Sequence, residues 1–512
     1  MFAPERSALL DEWLDQAATR HPDQPAVVEG DEVLTLRRLR ERSLSIAAAF
    51  RRLGLEPGQR VGLVMDKSAD AIATMFATLC AGGVYVPIQP DWPPDRIEAA
   101  LDDCDARLVV ADSETDPDAP PHIVDRRSGV TLSWVGCLAT SWPSGAGNGR
   151  SPEDPAFILF TSGSTGLPKG VTISHRAVGA FVNWSSQHFR LSPDDRILCP
   201  SPLSFDLSTF DIFNIVRSGS TCVVAPRATA WVPRLLLDLA RKQRVTVWYS
   251  VPSLLAHMLE RSAFAQAPLS SLRLILFAGE VMPPHEAIRL RAAQPQADLY
   301  NLYGPTETNV VTWYQLPGDL DSSRPVPIGK PCPYARVQRE PTGDGPDSDS
   351  AKQLLLVAGD SLMSGYWNRP EETARAFATI DDEQGPSLYY RTGDRVVVDP
   401  GGNLLFAGRT DRQVKRRGYR IELGEIEAVL GGHPDVAEVG VIASREGPVR
   451  LFAFVRARPS TSPSELELRA HCARLLPSYM IPDRFVSLQE MPRGNRGKID
   501  YETLARVDCS IP

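Results

Sequence analysis

Between Phe157 and Val171 the sequence reads FILFTSGSTGLPKGV, and its middle has the composition of an anion cradle. Thr161, Ser162, Ser164 and Thr165 supply hydroxyls, Gly163, Gly166 and Gly170 supply conformational freedom, and Lys169 supplies a mobile positive charge. Glycine brings backbone N–H groups close to phosphate oxygens, hydroxyls donate as well, and an ammonium adds long-range attraction. Phe157–Phe160 predicts a buried strand entering the loop, and apolar residues resume at Val171. Two other catalytic loops do not fit. A GxxxxGK[ST] loop has Gly before its Lys and Ser or Thr after it, where this chain has Pro168 and Gly170. A G-x-S-x-G elbow needs Gly where Ser162 stands. The plain alternative is a surface loop whose Gly and Ser serve turn chemistry alone.

Other stretches carry groups that a nucleotide and an acid could use. Asn301-Leu302-Tyr303-Gly304-Pro305-Thr306-Glu307 ends in a carboxylate, a hard ligand suited to bridging Mg²⁺ and phosphates. Tyr390-Arg391-Thr392-Gly393-Asp394 offers a short acceptor. The run Gly408–Arg420 holds six basic residues, but a net charge of −8 argues against a nucleic-acid patch. Asn495-Arg496-Gly497-Lys498 places a cation near the carboxyl terminus, where a lone lysine is ordinarily solvated. In Ser204-Phe205-Asp206-Leu207-Ser208-Thr209-Phe210-Asp211 an acid sits among apolar residues. Burying that carboxylate is costly unless a cation accompanies it; the alternative is that Asp206 caps the following helix.

Taken in order, these stretches resemble the motifs of the adenylate-forming enzymes: acyl-CoA synthetases, luciferases and the adenylation domains of nonribosomal peptide synthesis. The resemblance covers about Asp154 to Lys498. It implies ATP and Mg²⁺ as cofactors, with Thr161, Ser162, Gly163, Ser164, Thr165 and Lys169 at the phosphates. It also implies Asn301 and Tyr303 at adenine, Gly304 and Thr306 in the same nucleotide site, Asp394 at the ribose hydroxyls, Arg409 at the nucleotide and Glu307 at the metal. Asp411 would be the hinge between domains, and Lys415–Gly418 would face the thiol arm of the second substrate. Lys498 would be the catalytic lysine, since charge builds on both partners when a carboxylate attacks the α-phosphate and a donating cation stabilises it.

The Asp206 stretch resembles the F-D-x-S-x-x-(D/E) segment of amino-acid adenylation domains, in which this Asp pairs with the substrate's α-ammonium. The family's pocket positions fall on Asp206, Leu207, Phe210, Ser250, Leu276, Ala278, Leu302, Val310, Val311 and Lys498, with Gly279 alongside. Such a lining implies a small or medium apolar amino acid. Leu276, Ala278, Leu302 and Val310 resemble pockets of free-standing proline-activating enzymes, while Phe210 and Ser250 depart from them. A pocket shortened by Phe210 favours alanine, with proline next. Lys352-Gln353-Leu354 departs from the family's Gly-Glu-Leu, and Arg416 stands where an apolar residue is usual. With no condensation domain before the core and no L-G-G-x-S carrier segment after Lys498, the expected enzyme is free-standing. It would load its aminoacyl group onto the phosphopantetheine thiol of a separate carrier protein, in natural-product (antibiotic) biosynthesis. The rivals are an acyl-CoA ligase of the same superfamily and a nucleotide-binding homologue without turnover.

The elements that must position these residues are of α/β type. A chain of 512 residues exceeds one compact domain. From Arg60 onward strand and helix patterns alternate, as in a parallel sheet wound with helices. The expectation is a large amino-terminal domain, residues 1–410, of tandem parallel-sheet α/β subdomains plus β elements, and a small mobile α+β domain, residues 411–512. Polar Pro/Gly-rich stretches at 112–121, 141–152 and 340–350 read as loops. Eight cysteines, none closer than the 23 positions from Cys199 to Cys222, form neither a metal motif nor a disulfide framework. No signal peptide and no membrane-length apolar run is evident, so a cytoplasmic enzyme without membrane or nucleic-acid partners is expected.

Overall fold

The computed structural model describes residues 9–112, 121–133, 149–163, 168–341, 352–383, 385–444, 447, 449–494 and 498–507. The expected loop positions 113–120, 141–148 and 342–350 lie outside them, as do Ser164, Thr165 and residues 495–497. The chain divides into two compact units. One comprises Met1–Pro90, Asp103–Leu159 and Gly170–Thr410; the other comprises Asp91–Asp102, Phe160–Lys169 and Asp411–Pro512.

Among the described residues the first unit holds two large mixed sheets, each with parallel strands at its centre and antiparallel strands toward its edges. One has eight strands in the order Gly365–Tyr366, Lys169–Ser174, Pro155–Thr161, Val84–Ile88, Arg60–Val64, Ala106–Ala111, His122–Asp125, Thr131–Ser133. The other has nine: Lys330–Pro331, Thr312–Gln315, Asp298–Tyr303, Leu274–Phe277, Val247–Ser250, Arg196–Cys199, Thr221–Val224, Pro25–Glu29, Glu32–Thr35. Central strands such as Val84–Ile88 and Val247–Ser250 are buried at every position, as continuous apolar runs covered on both faces should be. A third, antiparallel sheet of five strands contains Gly385–Val398 and Leu404–Arg409.

Helix starts follow their capping residues. Ser68 Oγ accepts from Ala71 N at 3.1 Å to open Ala69–Cys80, and Ser174 Oγ accepts from Ala177 N at 3.2 Å to open His175–His188. Pro25–Glu29 and Glu32–Thr35 form a hairpin through Gly30-Asp31, but pairing carries it away from its sequence neighbours. Pro25–Glu29 runs parallel to Thr221–Val224 in the nine-stranded sheet.

The second unit has its own apolar core, including Ile421, Ile426, Leu430, Val441, Leu451, Ala453 and Met480. Helices Leu423–Gly431 and Glu465–Leu475 accompany a three-stranded sheet of Val436–Ala443, Leu451–Ala457 and Arg484–Ser487. Arg416, the basic residue in an expected apolar position, has a structural use. It pairs with Asp483 at 2.6 Å and donates to the carbonyls of Tyr479 and Ile481, tying the hairpin Val414–Ile421 to that segment. No helix among the described residues is long and apolar enough to cross a membrane.

A buried polar cluster fastens the first helix, Leu10–Arg20. Arg150 clamps the Asp11 carboxylate with bonds of 2.8 and 3.0 Å, and His175 Nδ1 accepts from Leu10 N at 3.2 Å. Burial and the neighbouring guanidinium push the imidazole down to about 3. The folded chain therefore keeps His175 neutral across pH values at which the unfolded chain protonates it. Stability from this group is complete above pH 6.5 and is lost as pH falls from there toward 3. Lowering pH from 7 to 5 is expected to cost about 2 kcal/mol through His175. Urea midpoints at both pH values should show a smaller difference in His175→Gln than in the parent.

Candidate functional site

The three parallel strands Val247–Ser250, Leu274–Phe277 and Asp298–Tyr303 are adjacent in the first unit, with Ser250 opposite Phe277 and Phe277 opposite Asn301. Their carboxyl ends therefore lie along one edge, which is where open α/β sheets take ligands. The expected pocket residues gather on this edge and on the helix Leu207–Ser218. Leu276, Ala278, Leu302, Val310 and Val311 are buried, as are Leu207 and Phe210. Gly279 has a φ of +90°, which suits glycine at the sharp exit of its strand. Asp206 is half-buried immediately before the helix, and its side chain makes no cap hydrogen bond there, so the capping alternative fails.

Phe210 is fully buried, and its ring is held from several sides. Tyr249 meets it edge-on at 5.4 Å, Phe189 edge-on at 6.3 Å and Phe181 at 6.3 Å. On strand Val247–Ser250 it is Tyr249 that faces Phe210 and feels the charge of Asp206, whereas Ser250 accepts from Trp248 Nε1 at 3.2 Å, on the other face. The two-residue period of a strand forces this choice, since residues 248 and 250 share one face and 249 takes the other.

A second group forms around Asp394. Its carboxylate accepts from the Tyr303 hydroxyl and from Arg409, and Asp394 N donates to Thr392 Oγ1 at 3.0 Å. Burial and the nearby carboxylate hold the Tyr303 phenol far above its ordinary value, so it remains a donor. Asn301 Nδ2 donates to Pro327 O at 2.7 Å. Glu307 is buried and accepts from Tyr366 OH at 2.8 Å. No cluster of three or more His, Cys, Asp or Glu suited to a metal occurs among the described residues. Glu307 nevertheless fits Mg²⁺, which uses one or two carboxylates and takes its remaining ligands from phosphates and water. Gly304 and Thr306 lie half-buried in the turn between Tyr303 and Glu307.

The remaining candidates belong to the second unit. Thr161 and Ser162 are half-buried, Gly163 is buried, and Thr161 Oγ1 donates to Lys169 O at 3.4 Å. Ser162 Oγ donates to Arg420 O at 2.8 Å, and Gly163 N donates to Glu425 Oε2 at 3.2 Å. Glu425 is a residue that the sequence reading missed: an acid in a helix's first turn looks like a macrodipole partner until its distant contacts are seen. Asp411 is exposed and accepts from Gln413 N at 3.2 Å; the division between the two units falls immediately before it. Lys498 is exposed.

Residues 14–367 match the model of the AMP-binding enzymes, and residues 425–498 match that of the AMP-binding enzyme C-terminal domain. An L-proline–[L-prolyl-carrier protein] ligase of Pseudomonas fluorescens is 36% identical, over 97% of this chain and 99% of its own. A ligase of the same description from Streptomyces coelicolor is 36% identical, over 95% and 94%. Among solved structures, NpsA-ThdA, an artificially fused adenylation-PCP di-domain from Klebsiella oxytoca, superposes with a TM-score of 0.80 at 27% identity, covering 94% of each chain.

The turn after Tyr303 depends on Gly304. A Cβ there would stand 1.6 Å from Asn309 O, which is main chain and cannot swing aside. Gly304→Ala is expected to destabilise the first unit by about 1–3 kcal/mol, read from urea unfolding.

Proposed function

We propose that this chain, which belongs to the adenylate-forming AMP-binding enzymes, activates a small apolar amino acid as its aminoacyl-AMP and passes it to a carrier-protein thiol. The family models together with relatives 36% identical over nearly the whole chain establish the membership. The observation that carries the amino-acid reading is Asp206, a carboxylate at the mouth of an otherwise apolar lining and not engaged in capping its helix. Such a group favours a ligand that brings an ammonium.

In the first step a substrate carboxylate oxygen attacks the α-phosphate of ATP, and pyrophosphate leaves. In the second the phosphopantetheine thiolate attacks the acyl carbon, and AMP leaves. In this reading Asp394 and Arg409 hold the ribose end, with Asn301 and Tyr303 at adenine. Glu307 holds Mg²⁺, which neutralises phosphate charge when bound. Thr161, Ser162, Gly163, Ser164, Thr165 and Lys169 cradle the phosphates, and Lys498 stabilises the charge of the attacking and departing groups. Asp411 is the hinge through which residues 411–512 turn. None of these residues need act as a nucleophile, because positioning and charge stabilisation suffice.

Of the two amino acids that the pocket suggests, we favour L-proline. Two relatives at 36% identity are named as L-proline ligases. L-alanine is the second reading, supported by the bulk of the immobilised Phe210 ring.

Amino-acid-dependent exchange of labelled pyrophosphate into ATP tests the proposal. L-proline, L- and D-alanine, glycine, serine, β-amino acids and plain carboxylic acids form the panel. Exchange with L-proline is expected, reduced about 10²–10³-fold in Lys498→Ala. Exchange solely with an acid lacking an amino group would remove Asp206 from its role and leave an acyl-CoA ligase. Silence with every compound would leave a nucleotide-binding protein without turnover.

A further inference from the structure

The first unit buries the side chain of Lys67, which is only 7% exposed. This lysine follows the strand Arg60–Val64 and stands immediately before Ser68, the cap of helix Ala69–Cys80. Its Nζ donates to Ser201 O at 3.1 Å, which ties the eight-stranded sheet to the nine-stranded one. Ser201 follows the strand Arg196–Cys199 and opens the loop that ends at Asp206. From there the chain is closed on itself by short turns. Phe205 N donates to Pro202 O at 3.0 Å, Ser208 Oγ to Phe205 O at 2.7 Å, and Thr209 N to Asp206 O at 3.0 Å. Gln89, just past the strand Val84–Ile88, adds a second hold from the same side, with Nε2 donating to Ser204 Oγ at 3.0 Å. Asp211, on the pocket helix, lies within electrostatic reach of Lys67.

Burying an ammonium is expensive, and replacing buried ionic groups by apolar ones of similar volume is often neutral or stabilising. Stability alone therefore gives no reason for a lysine at this place. Position does. A bond to a main-chain oxygen fixes the backbone at residue 201 whatever side chain stands there, and the closed turns from Pro202 to Thr209 carry that constraint to residue 206. We propose that Lys67 is a positioning residue for amino-acid recognition: by holding Ser201 O it sets where the Asp206 carboxylate stands against the substrate's α-ammonium, so that the choice of an amino acid over a plain carboxylic acid depends on it. Lys67 acts through Asp206 and not on the substrate itself. The proposal rests on the reading of Asp206 as the partner of that ammonium.

The test uses non-hydrolysable acyl-adenylate mimics in matched pairs. L-prolyl-sulfamoyl adenosine is set against its cyclopentanecarbonyl counterpart and L-alanyl-sulfamoyl adenosine against its propanoyl counterpart, the second member of each pair lacking the amino nitrogen. Calorimetry on the full chain gives a ratio of dissociation constants for each pair, which separates recognition of the ammonium from everything the adenosine contributes. In Lys67→Met the ratio for the pair that the parent discriminates is expected to shrink about fivefold or more, within the range of coupling between residues of one hydrogen-bond network. The mimics without nitrogen should bind within about twofold of the parent value. A lysine that merely stabilised the core would weaken both members of a pair alike. If Lys67→Met does not fold, the double variant Lys67→Met, Asp211→Leu removes both buried ionisable groups and carries the same expectation. A folded variant that keeps the parent's ratio, or loses affinity equally for both members, would overturn the positioning role and leave the adenylation reading intact. A parent protein that binds both members of each pair equally, or neither, would overturn the reading of Asp206 and this proposal with it.

Discussion

A carboxylate buried beside a guanidinium and a phenol cannot be left half-satisfied, and Asp394 holds that position in the first unit. Its acceptors engage Tyr303 at the end of a parallel strand and Arg409 at the end of an antiparallel one. Removing one partner of such a group costs far more than the net worth of its hydrogen bond, because the other partners stay buried and charged. The joining of the five-stranded sheet to the edge where the apolar pocket lies is therefore enforced by electrostatics as well as by packing. The positions of Tyr303 and of the turn through Glu307 follow from that constraint.

The pocket helix Leu207–Ser218 shows the same economy with less compensation. Asp211 is wholly inaccessible, and its carboxyl group meets the buried Cys199 thiol. Burial, with the Cys199 thiol beside it, pushes the Asp211 carboxyl well above the ordinary carboxylate value. Lys67 lies within electrostatic reach and donates to Ser201 O at 3.1 Å, its own affinity for a proton lowered by burial. The helix that carries Phe210 is thus surrounded on every side by protein, and its register leaves little room to adjust.

Much of this was legible in advance because it is local. Capping residues at Ser68 and Ser174, the apolar runs of the central strands and the spacing of the loop motifs each act within a few residues, and the elements formed where those signals lay. What escaped depends on pairing at a distance. The hairpin at Gly30 joins a strand from a later block because sheet edges are chosen by tertiary packing, which leaves no local trace. Arg416 and Glu425 find their partners, Asp483 and Gly163, far along the chain, where no local pattern points to them.

Phe210 has a consequence for how such a chain can change its preferences over generations. In the proposed reading its ring is shared between the pocket and an aromatic cluster that includes Phe181, Phe189 and Tyr249. A substitution that enlarges the pocket at this position also opens a void in the core, and the void is costly in proportion to how poorly its surroundings collapse. Descendants that adopt a larger substrate through residue 210 must first have accumulated stability elsewhere, or must repack the neighbouring rings in the same lineage. Positions outside that cluster are the cheaper route, so selectivity here has a preferred order of steps.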